Sequence, residues 1–144
     1  MTQTSTATHS LHLKHRVTAS RDRVFQAFTN PVELAKWWAP EGFSDASGEI
    51  DLRVGGIYRW SMRAPDGELY VATGAFTEIE IPEKLVQTWQ WEGDEEVTEL
   101  TLLFHDCGET TEIELLHKGF DDRARADKHE EGWTGCLQRV AGQF

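Results

Sequence analysis

A chain of 144 residues is the size of one domain and buries enough surface to fold without a metal or a disulfide. Its formal net charge of -11 repels nucleic acid and anionic bilayers, and no apolar run approaches the roughly 20 residues of a membrane helix, so neither nucleic-acid binding nor membrane insertion is expected. The two cysteines, Cys107 and Cys136, lack metal-like spacing, which fits a reduced, cytoplasmic location and no metal or cofactor.

Residues 1–9 are rich in Thr and Ser, lack the basic start and apolar stretch of a signal peptide, and read as a disordered tail. A single domain is expected over 10–144. Leu11, Leu13 and Val17 alternate with Lys14 and Arg16, the pattern of a half-buried strand. Ser20 caps a short helix with Val24, Phe25 and Phe28 on its apolar face. Asn30-Pro31-Val32-Glu33 starts a second helix, with Asn30 as cap, Pro31 where its missing N–H costs nothing, and Glu33 placed to close a capping box. That helix carries Leu34, Trp37 and Trp38 and stops at Pro40.

Period-two alternation then predicts strands at 47–54, 57–63, 69–80, 84–92, 97–106 and 110–118. The breaks between them are turn chemistry: Gly55-Gly56, Pro65-Asp66-Gly67, Pro82-Glu83-Lys84, Gly93-Asp94 and Asp106-Cys107-Gly108. Short loops of this kind give a sequential antiparallel meander. Over 121–143 the apolar residues step by three and four through Ala126, His129, Trp133, Cys136 or Leu137, and Val140, an amphipathic helix of about five turns. Gly132 and Gly135 inside it each cost about 1 kcal/mol relative to Ala. They imply a helix that passes close to the sheet or a wall that must stay thin. The order is α+β: a seven-stranded curved antiparallel sheet around a long C-terminal helix, with two short helices after the first strand.

The string Ala19-Ser20, then Val24-Phe25-Gln26-Ala27-Phe28-Thr29-Asn30-Pro31 and Leu34-Ala35-Lys36-Trp37-Trp38, opens a series of marks. It continues through Gly55-Gly56, Met62-Arg63-Ala64-Pro65-Asp66-Gly67, Gly74 and Pro82-Glu83-Lys84-Leu85-Val86-Gln87-Thr88-Trp89 to Glu131-Gly132-Trp133. In this order the series resembles the SRPBCC superfamily, the START or Bet v-type helix-grip fold, and within it the homologues of the activator of heat-shock protein 90 ATPase. The resemblance covers about residues 11–142. It implies the fold, and it brings no shared catalytic triad, metal site or cofactor motif. The eukaryotic activators that name the family have a separate N-terminal domain that docks on the chaperone, for which this chain is expected to have no room.

The residues that could line a site follow from the faces. Tyr58, Trp60 and Met62 share one face of their strand, and Phe76 and Phe104 are inward candidates on later strands. Trp37 and Trp38 belong to the short helices at one end, and Trp133 to the long helix; the facing of Trp89 and Trp91 stays open. Core packing competes for any one of these residues. Large rings with N–H or O–H tips nevertheless suit a pocket wall with a few polar points better than a dry core. His117 continues the alternation of Thr111, Ile113 and Leu115, and His129 lies on the helical stripe; the competing account of each is a hydrogen-bonded core histidine. The expected ligand-binding set is thus Trp37, Trp38, Tyr58, Trp60, Met62, Phe76, Phe104, His117, His129 and Trp133.

No GxSxG elbow, Gly-rich phosphate loop or zinc helix motif occurs. The reading is therefore an internal cavity that binds a small hydrophobic or amphipathic molecule, in a carrier, sensor or stress-response protein. Two other classes compete. One is a module for a chaperone, another protein partner or a second copy. The other is a cyclase- or aldolase-like enzyme using His117, His129, Glu68 or Arg59.

Overall fold

A computed structural model describes residues 8–144. The expected tail lies outside the described residues as far as residue 7. The first strand, β1 (His9–Val17), is followed by α1 (Arg21–Thr29) and α2 (Pro31–Trp37). Six strands come next: β2 (Ser44–Ile50), β3 (Ile57–Arg63), β4 (Leu69–Glu80), β5 (Lys84–Trp91), β6 (Thr98–Asp106) and β7 (Thr111–Phe120). The chain closes with α3 (Arg123–Ala141). The strands form one antiparallel sheet in the order β1-β7-β6-β5-β4-β3-β2, so the meander runs unbroken and β1 adds to its far edge.

The turn residues act as their chemistry requires. In the β3–β4 hairpin the Asp66 carboxylate accepts from the Glu68 N–H at 2.9 Å and Gly67 takes a φ of 89°, a conformation that costs glycine nothing. Ser20 Oγ accepts from the Arg23 N–H at 3.3 Å, and Asn30 Oδ1 from the Val32 N–H at 2.9 Å; each such cap stabilises its helix by about 1 kcal/mol. Asp122 caps α3 in the same way.

Two local expectations are corrected. The capping box does not close: the Glu33 carboxylate leaves its own helix end and grips the Arg23 guanidinium at 2.6 and 3.0 Å, tying α1 to α2. A charged two-point pair outweighs one hydrogen bond to an N-cap N–H. The strand expected over 47–54 starts at Ser44 and stops at Ile50, because the 51–56 loop turns back early, with the Asp51 N–H donating to the Ile57 carbonyl.

The inward faces of the sheet, α1 and α2 meet α3 in one core that includes Val24, Phe28, Leu34, Trp37, Leu100, Leu102, Phe104, Ile113, Leu115 and Val140. Fully burying side chains of this size contributes roughly 1.5–3 kcal/mol each. The grip is lopsided. α3 packs chiefly on β1, with lesser contact to β7 and α2, while α2 lies over β2. The inner faces of β3, β4 and β5 near the β3–β4 hairpin are left partly uncovered, and the site forms there.

Candidate functional site

A cleft of about 800 Å³ runs between α3 and the β3–β5 half of the sheet. Its helix wall is a stripe from Arg125 and His129 through Gly132, Trp133 and Cys136 to Arg139. These positions step by three and four residues and share one helix face, about 21 Å long at about 1.5 Å rise per residue. Met62, Tyr70, Trp89 and Trp91 form the sheet wall, and Trp38 and Phe43 close the end beneath α2. Gly132 sits at the middle of the stripe, and a Cβ there would meet nothing within 4 Å. A close approach of the helix to the sheet therefore does not account for this glycine.

The structure divides the expected ligand-binding residues. Trp38, Met62, His129 and Trp133 line the cleft. Trp37, Tyr58, Trp60, Phe76, Phe104 and His117 face inward but lie behind the wall, each 2 % exposed or less. Trp37 is fixed there by its indole N–H, which donates to the Ala27 carbonyl at 2.8 Å. The Tyr58 hydroxyl donates to the Thr88 carbonyl, and burial keeps the phenol protonated. Trp89, Trp91 and Tyr70 complete the wall and were not among the expected residues. The run Leu85, Gln87, Trp89, Trp91 carries the signal for two of them, as one alternating face.

Rings make up most of this region. Trp38, Trp60 and Trp89 stand mutually edge to face, with centroids 5.1, 5.7 and 5.5 Å apart. Their three indole N–H groups, and both polar atoms of the Gln87 amide, are buried with no hydrogen-bond partner among the described residues. A buried donor left unmade costs about 1–3 kcal/mol, only part of which an N–H pointed at a ring face recovers.

Both inward imidazoles are fully engaged. The Trp133 indole N–H donates to His117 Nδ1 at 3.0 Å, so the His117 proton sits on Nε2 and points to Thr98 Oγ1 at 2.7 Å; Thr98 in turn donates to the Trp89 carbonyl. Burial, then the nearby His129, pulls the His117 pKa down to about 3. His129 repeats the device: the Trp91 indole N–H donates to its Nε2 at 2.8 Å, and its Nδ1 proton goes to the Arg125 carbonyl at 2.8 Å. Burial again favours the neutral ring. All four ring nitrogens are spoken for, which leaves neither histidine an open position for proton transfer to a molecule in the cleft.

The remaining titratable candidates are no better placed. Arg59 pairs with Glu92 at 3.2 Å. Glu68 is exposed on the cleft rim, and burial pushes the Cys136 thiol up to about 11, away from the nucleophilic thiolate. Among the described residues no group of three or more His, Cys, Asp or Glu could hold a metal ion, and no helix is long and apolar enough to cross a membrane. A second depression of about 590 Å³, around Glu49, Ile57, Arg59 and Thr73, has one ring in its lining, Tyr58, and none of the unpartnered polar groups.

A curved seven-stranded antiparallel sheet gripping a C-terminal helix defines the helix-grip class. Residues 18–142 match the family described as "Activator of Hsp90 ATPase homolog 1-like protein", and the chain belongs to that family. Among solved structures it is similar to protein CV1439 of Chromobacterium violaceum, at 25% identity and TM-score 0.82, covering 93% of this chain and 95% of that one. It is also similar to the AHSA1 (SPO3351) protein of Silicibacter pomeroyi, at 26% identity and TM-score 0.80, covering 94% and 96%. A likeness in fold extends to CalU16 of Micromonospora echinospora, at 26% identity and TM-score 0.70, covering 91% of this chain and 73% of that one. No curated protein matches the chain.

Proposed function

We propose that this protein binds a small amphipathic molecule in the cleft beside α3 and holds it without converting it. The observation that carries the reading is Gly132. A mid-helix glycine costs about 1 kcal/mol against alanine, and here no neighbouring atom lies where a side chain would go. Packing does not require the glycine, and an occupant of the cleft would account for it, since a side chain there would project into the occupant's space. The ring faces of Trp38, Trp91 and Trp133 supply apolar surface to such an occupant at about 25 cal/mol per Å² buried, less the cost of ordering it.

Binding is favoured over catalysis because His117 and His129 are neutral and fully hydrogen-bonded. The most exposed large apolar side chains, Val32, Val54, Ile57 and Ile81, sit at the start of α2 and around two turns, which gives the protein-partner reading less support than the cleft gives this one. A carrier or sensor role, in a reducing compartment where Cys107 and Cys136 stay thiols, fits these features.

The test is a titration of intrinsic Trp fluorescence with decanoate and with the dye 8-anilinonaphthalene-1-sulfonate, in the wild type and in Gly132→Leu. Saturable changes in the wild type, lost in a Gly132→Leu protein of unaltered circular dichroism, are expected. Equal binding by both proteins would place any ligand elsewhere.

A further inference from the structure

Resting on that reading, we infer that the occupant is an amphipathic acid whose carboxylate is held by Arg139. The side chain lies in the last turn of α3 and lines the α2 end of the cleft. Its Nε donates to the Trp37 carbonyl at 2.9 Å and its Nη2 to the Trp38 carbonyl at 3.5 Å, with Cys136 Sγ 3.3 Å from Nη2. All of these partners are neutral. Nη1 has no acceptor among the described residues, and Arg139 belongs to none of their ion pairs.

Its setting makes this unusual. The chain has 25 acidic residues against 14 Lys and Arg, so carboxylates are plentiful. At the opposite end of the same helix stripe Arg125 is neutralised by Asp94 at 2.5 Å and Glu96 at 3.0 Å. The Glu92 carboxylate on the rim is taken by Arg59, which leaves exposed Glu68 as the unpaired acid of the cleft. Two cations of the cleft belong to no ion pair among the described residues: Lys128, which is exposed at the Arg125 end, and Arg139, which is half-buried at the α2 end. A half-buried guanidinium is suited to a carboxylate, which it can meet through its free Nη1 N–H groups in a charge-assisted hydrogen bond.

One further observation points the same way. A Cβ on Gly135 would lie 3.1 Å from Arg139 Nη1, so this second helix glycine leaves room for the guanidinium as Gly132 leaves room for the body of a ligand. The open Nη1 donor of Arg139 thus suits an acceptor-bearing, anionic occupant. Gly132 lies seven residues from Arg139, about 10 Å along the helix. An apolar body extending that far from the carboxylate would rest over the glycine, between Trp133 and Trp91.

The experiment compares decanoate, 1-decanol and decylammonium by Trp fluorescence at pH 7.5 and low salt, in the wild type and in Arg139→Gln, whose amide can still donate to an α2 carbonyl. In the wild type decanoate binds roughly tenfold or more tighter than decanol, as a charge-assisted pair implies, and decylammonium binds weakest. In Arg139→Gln the decanoate-to-decanol ratio falls to about one. If the wild type binds decanol as tightly as decanoate, the role of Arg139 is overturned and the amphipathic-ligand reading stands. If none of the three binds, both fall. Should Arg139→Gln fail to fold, the wild-type ratio alone decides.

Discussion

The indole N–H of Trp133 donates to Nδ1 of His117 across 3.0 Å, joining α3 to β7 through two side chains that are each almost wholly buried. The bond sets the histidine tautomer and turns a ring that could have been a catalytic base into a structural one. Replacing Trp133 by Phe keeps most of the ring but leaves Nδ1 without a donor. The expected cost is about 1–3 kcal/mol in urea unfolding at pH 7.5. A loss within error would mean that the bond contributes little.

The same pair makes stability depend on pH. The folded His117 titrates at about 3, well below an unfolded histidine near 6.5, so below that pH the unfolded chain takes up a proton that the native state refuses. His117 therefore contributes stability that is fully present above about pH 7 and is lost as pH falls through 6.5 towards 3. From pH 7.5 to 5.5 the loss is about 1.4 kcal/mol from this residue. His129, also depressed by burial, adds in the same direction, whereas the depressed carboxyls of Asp94 and Glu114 act only below about pH 4.5. Unfolding curves that coincide at the two pH values would contradict this.

Two glycines are expected to respond oppositely to alanine. Gly132→Ala, with open space at its Cβ, raises stability by up to about 1 kcal/mol, or a few degrees in Tm. A Cβ on Gly74 would fall 1.9 Å from the Thr88 carbonyl oxygen and 2.8 Å from the Tyr58 hydroxyl, so Gly74→Ala forces β4 and β5 apart and costs more than about 2 kcal/mol. Calorimetry of the two variants checks the contrast.

The two thiols differ in reach. Cys107 is exposed, while Cys136 is buried against α2 with its pKa pushed up to about 11. One of the two thiols reacts quickly with 5,5′-dithiobis(2-nitrobenzoate) at pH 8, and the second follows only on the timescale of opening. Equal fast reaction of both would show that the cleft floor is looser than described.

Strand order, turns and the long helix were legible because alternation of period two and a stripe of period 3.6 leave separate marks in the sequence. The wall of the cleft was only partly legible. Period two states that Tyr58, Trp60 and Phe76 turn inward, but whether an inward ring meets α2, α3 or open space depends on where the helix settles across the sheet. Trp60 is covered by Trp37 and Trp38 at the end of α2, whereas Trp91 stays half-buried because α3 packs chiefly on β1. Gln87 shares the inward face of Leu85 and Trp89 and lies fully buried behind the wall. Glu33 has the spacing of a capping box, and only the fold brings Arg23 within its reach. The Trp133–His117 pair likewise joins two patterns that are unrelated along the chain.

The most direct test of the cleft uses the six tryptophans as separate reporters. In a ¹H–¹⁵N spectrum of the indole N–H groups, titrated with decanoate, the signals of Trp38, Trp91 and Trp133 are expected to shift together and saturably, with Trp89 following. Trp37, whose N–H is locked on the Ala27 carbonyl, stays in place. A spectrum that moves at Trp37 while Trp38, Trp91 and Trp133 stay fixed, or that does not move at all, would contradict the assignment of the cleft beside α3 as the binding site.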